Sequence, residues 1–98
     1  MSTRYELTAC ARLDLLRIWN YIAADNIDAA DKVKAELRSA MLQLAEMPGL
    51  GHERRDVTNP KYRFWKVYSY LIAYIPETKP LRVIRVVHGA QDVGKLFE

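Results

Sequence analysis

Four basic features in the second half of the chain could do chemistry on an anion: Lys66, Arg85, His88 and the adjacent pair Arg54-Arg55. Lysine and arginine can gather around a phosphate and neutralise its charge, and an imidazole, titrating near ~6.5, can take or give a proton. His88 is therefore the candidate for proton transfer, although a lone histidine at a strand end more often simply packs and hydrogen-bonds. His52, beside Glu53, Arg54 and Arg55, has no second His or Cys at metal-ligand spacing. No metal or cofactor site is expected there. Tyr62, Phe64, Trp65, Tyr68, Tyr70 and Tyr74 interleave with the cations in the mixture that stacks single-stranded bases, but Trp65, Tyr70 and Tyr74 read better as core.

The elements that must position these residues have to fit in 98 residues, half of them hydrophobic. That is enough for one domain over residues 1–98 with one core, and too little for two domains around a deep cleft. Any active site must lie on a surface. The formal net charge is +3, and it is uneven: residues 1–47 hold six Lys/Arg against seven Asp/Glu, residues 48–98 nine against five, an excess of 9 − 5 = +4. An anionic partner is compatible with this bias. Cys10 is the single cysteine, so no internal disulfide forms, and no apolar run approaches the ~20 residues that cross a bilayer. The chain reads as soluble and cytoplasmic, with no membrane partner.

Residues 3–7, TRYEL, suit a short strand, and Thr8 can cap a helix from Ala9 to about Ala24, with Ala11, Leu15, Ile18, Trp19 and Ile22 in one stripe. Trp19 is expected in the core, anchoring the helices to the sheet. Asn26 or Asp28 can cap a second helix that reaches Met47 and stops at Pro48-Gly49. Its stripe runs through Ala30, Val33, Leu37, Ala40, Met41, Leu44 and Ala45, and two such helices so close in sequence pack as an antiparallel hairpin. After the loop PGLGHERRDVTNP the period changes from helical to alternating, giving strands near 62–67, 70–75 and 81–88 and a closing helical turn or tail. A tight turn at Tyr68-Ser69 sets Lys66 opposite Leu71 and Trp65 opposite Ile72. One face then carries Trp65, Val67, Tyr70, Ile72 and Tyr74, the other Phe64, Lys66, Leu71, Ala73 and Ile75.

Three stretches, ARLDLLRIWNYIAADNIDAAD, MPGLGHERRD and FWKVYSYLIAYIP continuing to LRVIRVVHGAQD, in this order and at this length, resemble the RelE/ParE toxin superfamily over almost the whole chain. DLLRIWNYIA followed by AAD, with GHERRD after the hairpin, is more similar to the ParE side. The resemblance implies an α+β fold, order βααβββ, with the helical hairpin on one face of a small twisted antiparallel sheet. The face with Trp65 would meet the helices, and the face with Phe64 would be open. ParE-like members poison DNA gyrase, while RelE-like members cut messenger RNA in the ribosome.

Cutting RNA through its own 2′-hydroxyl needs a proton acceptor, a proton donor and cations around the phosphate. By resemblance, Lys66, Arg85 and His88 are the candidates. Yet Leu71 stands where RelE-like toxins often carry an arginine, Gly89 replaces a later basic residue, and Lys95, Leu96 and Phe97 offer no equivalent of the C-terminal tyrosine. The gyrase reading is accordingly preferred to the ribosome–mRNA one, with Arg54, Arg55 and Arg85 as candidates for target contact. An acidic, partly disordered antitoxin is expected to form a hetero-oligomer with the chain. It would cover Phe64, Lys66, Leu71, Ala73 and Ile75 on the open face, and the outer surface of the hairpin.

Overall fold

The computed structural model describes residues 4–54, 57, 61–89 and 93–96. Strand β1 (Tyr5–Leu7) leads into helix α1 (Ala9–Ala23) and helix α2 (Ile27–Glu46), then a 3₁₀ turn (Pro48–Leu50). Strands β2 (Arg63–Val67), β3 (Tyr70–Ile75) and β4 (Leu81–His88) follow, and a last turn of helix, α3 (Val93–Leu96), closes the order.

Local chemistry sets these boundaries. The Thr8 hydroxyl accepts from the Ala11 amide at 3.1 Å, and the Asn26 side chain accepts from the Ala29 amide at 3.0 Å, so both helices begin at side chains that satisfy their first free N–H groups. Of the two proposed caps for α2, Asn26 is used. Pro48 cannot extend the α-helical ladder and instead opens the 3₁₀ turn.

The sheet order is β1-β4-β3-β2. The tight turn at Tyr68-Ser69 gives the expected register, with Lys66 opposite Leu71 and Trp65 opposite Ile72. Tyr68 takes the left-handed conformation (φ 54°) that such a turn demands. The sheet is mixed rather than wholly antiparallel, because β1 runs parallel to β4. Short turns force antiparallel neighbours, but the whole helical hairpin separates β1 from β2, and nothing imposes that sense on it.

Both sheet faces are covered. On one, Ile72, Tyr74, Val83 and Val86 pack against Ala11, Leu37, Met41 and Leu44 of the hairpin. Tyr74 is fully buried, and its hydroxyl donates to the Pro48 carbonyl at 2.6 Å and accepts from the Gly51 amide at 2.9 Å. This contact fixes the chain after α2 against the sheet. A Cβ on Gly51 would lie 2.2 Å from the Tyr74 oxygen, so only glycine permits the approach.

The second face corrects the sequence reading. The sorting of residues between faces is right, but Phe64, Leu71 and Ala73 are buried, together with Val87, under Val57 and Val93, with Tyr62 packed alongside. Isolated apolar side chains from the loop and from α3 close what alternation alone presented as an open surface. Trp19 departs in the opposite sense: it is only partly buried, and its indole N–H donates to Asp31 at 3.0 Å, tying α1 to α2 rather than the hairpin to the sheet.

Candidate functional site

Of the three residues named for RNA chemistry, the fold brings two together. Lys66, near the end of β2, and His88, at the end of β4, border a shallow depression of about 300 Å³ that Arg54 also lines. Leu71, Ser69 and Gly89 complete it. The Gly89 amide donates to the Ser69 carbonyl at 2.7 Å, drawing the end of β4 against the β2–β3 turn. The His88 ring meets Tyr70 edge-on at 5.6 Å, and the Arg54 guanidinium lies 5.9 Å from the centre of the Phe64 ring.

Arg85 is committed elsewhere. Its Nε donates to Asp14 Oδ2 at 2.6 Å and its Nη2 to Asp14 Oδ1 at 3.0 Å, a two-pronged pairing with a carboxylate that is itself buried. These hydrogen bonds push the Arg85 pKa above its usual value. Asp14 Oδ2 also accepts from the Val86 amide at 3.1 Å. The reason lies in the strand edge: β1 pairs with Leu81 to Val83, and among the described residues no strand adjoins the rest of β4 on that side. There α1 supplies the partners, the Thr8 amide bonding to the Val83 carbonyl, the Thr8 hydroxyl to the Ile84 carbonyl, and Asp14 to Val86. Asp14 and Arg85 thus fasten α1 to a sheet edge. Arg55 lies outside the described residues.

The other candidate surface is one that the sequence indicated only in outline, as the outside of the hairpin. A groove of about 540 Å³ runs between α1, α2 and β1. Leu15, Leu16, Ile18 and Trp19 form one wall, and Leu37 and Met41 line the other. Tyr5 and Leu7 of β1 close its end. Leu16 is 57% exposed, a large cost for an apolar side chain without a partner. Three cations, Arg12, Lys34 and Arg38, border the groove, and among the described residues its lining includes no carboxylate.

A helical hairpin packed on a small mixed sheet, with a cation-bordered apolar groove on the hairpin, is the frame of the molecule. The sequence matches the family described as ParE toxin of the type II toxin–antitoxin system parDE over residues 5–93, nearly its whole length. The chain belongs to that family. Among solved structures, one described as the chromosomal ParDE TA system from P. aeruginosa superposes with a TM-score of 0.70 at 17% identity, covering 86% of this chain and 92% of that one. At that identity the likeness speaks for the fold. No curated protein matches the sequence significantly. No helix among the described residues is long and apolar enough to cross a membrane.

Proposed function

We propose that the chain acts as a gyrase-directed toxin held inactive by an acidic antitoxin, whose amphipathic helix lies in the groove between α1 and α2. The observation that carries the antitoxin half of this reading is the groove itself. Its walls are apolar, Leu16 is left in water, and Arg12, Lys34 and Arg38 stand ready for carboxylates on either side of an inserted helix. A segment disordered when free can spend the gain from burying such a surface on its own ordering. The sheet face named earlier is a poorer receptor, because Phe64, Leu71 and Ala73 are already covered by the chain's own residues.

Gyrase as target is supported by family membership, and the distribution of cations on the sheet weakens the nuclease alternative. The nuclease alternative enlists Arg85 together with Lys66 and His88, and Arg85 is bound to Asp14 instead of joining them. Purified chain incubated with gyrase, ATP and relaxed plasmid should block supercoiling and accumulate cleaved DNA, and the protein encoded by the adjoining reading frame should restore supercoiling. Discrete ribosome-dependent cuts in messenger RNA, with supercoiling unaffected, would replace gyrase by the ribosome.

A further inference from the structure

The depression between Lys66, Arg54 and His88 has no part in that reading, and its chemistry is specific. We propose that it binds a phosphate group of a single-stranded nucleic-acid backbone. Its three basic side chains come from three separate segments: the loop before β2, β2 itself, and the end of β4. A carboxylate offers its acceptor oxygens in one plane, which a single guanidinium fork can match, whereas a phosphate presents oxygens in several directions. Basic side chains converging from three sides suit the second geometry. Among the described residues the lining contains no carboxylate, and its volume of about 300 Å³ admits one such group with its immediate neighbours.

Two of these side chains are already positioned. Arg54 lies over the Phe64 ring, and His88 stands against Tyr70, so little side-chain freedom is lost when an anion arrives. Lys66 is exposed on β2 and borders a second depression with Tyr68. Tyr68, an aromatic ring about half exposed, and Glu36 line that second depression beside the lysine. An aromatic surface next to a phosphate-sized basic site is the pairing that holds an unstacked base and its backbone. It favours nucleic acid over an acidic peptide. Cleavage is no part of the proposal, because Arg85 takes no place in the depression.

The test is titration of the isotopically labelled chain with a short oligothymidylate, with inorganic phosphate and with a glutamate-rich peptide in parallel. The oligonucleotide should shift the amides of Lys66, Ser69, His88 and Gly89. Lys66→Ala should weaken its binding about tenfold and lower the slope of log affinity against log salt by about 1. Arg82→Ala, which removes an exposed cation paired with Glu6 on the β1–β4 edge, should change neither. Lys66 is exposed, so its variants fold, and Lys66→Glu provides a stronger second test. Unmoved amides, or equal affinity of Lys66→Ala and the unaltered chain, would overturn the proposal. Shifts produced by inorganic phosphate alone would make this a small-anion site, and shifts produced by the peptide alone a protein contact. Either overturns the nucleic-acid assignment.

Discussion

The two faces of the sheet are sealed by different means. On one, two helices spanning 15 and 20 residues lay a continuous periodic stripe over Ile72, Tyr74, Val83 and Val86. On the other, Phe64, Leu71 and Ala73 are covered by Val57 from an irregular loop and Val93 from a single helical turn. The first cover is cooperative, since each helix buries several side chains at once and cannot lift in part. The second depends on individual residues, one from a loop and one from a four-residue helix, and cover of this kind is expected to open more readily. Complete burial in the static structure therefore does not mean equal resistance to opening.

Substitutions can measure that difference. The largest effect is expected from Leu71→Asp, which places a charge in the second core with no partner, and should unfold the domain or cost about 4 kcal/mol in denaturant titrations. Asp14→Ala should cost about 3 kcal/mol by the same measurement, because it strands both the Arg85 guanidinium and the Val86 amide at the β4 edge. Leu37→Ala, within the helix-covered core, should cost a similar ~3 kcal/mol and leave a cavity. Val93→Ala should cost only about 1.5 kcal/mol, at ~0.8 kcal/mol per buried carbon removed. Yet it should raise hydrogen exchange at β2 and β3 amides far more than at α2, if the second cover opens independently.

A smaller effect concerns pH. Burial raises the Tyr74 pKa above its ordinary value of 10, although the Gly51 amide and Arg63 oppose the shift. The folded state thus holds this proton more tightly than the unfolded chain. The stability this contributes is complete below pH ~10 and is lost as pH rises through the folded pKa. Thermal unfolding followed between neutral pH and pH ~11 should show a decline that Tyr74→Phe reduces, after that variant's own loss of about 1–3 kcal/mol from two missing hydrogen bonds.

What was legible in the sequence follows the same division. The periodic stripes from Ala11 to Ala45 and the caps at Thr8 and Asn26 lie in local spacing, and the Tyr68-Ser69 turn fixes the β2–β3 register without outside help. The cover of the second face left no such trace. Val57 and Val93 are lone apolar residues among polar neighbours, and no period marks them. The Asp14–Arg85 pairing joins positions 71 apart, and its setting depends on a register shift in which Tyr74 pairs with Val83 while Ala73 pairs with Arg85, passing over Ile84. A bulge of this kind changes which face each later residue occupies, and strict alternation cannot foresee it. Arg85 therefore looked available for catalysis or target binding when the fold uses it as a fastening. The depression lined by Lys66, His88 and Arg54 was half legible: its residues were named, but their grouping without Arg85 was not.

In the proposed function an acidic partner docks in the groove between α1 and α2. The decisive measurement is calorimetric binding of the adjoining reading frame's protein to the Leu16→Asp variant, whose exposed side chain should leave stability within about 0.5 kcal/mol. The expected result is an affinity lower by about two orders of magnitude, as for loss of a central apolar anchor, with an unchanged unfolding midpoint. Binding undiminished in this folded variant would place the partner elsewhere and contradict the account.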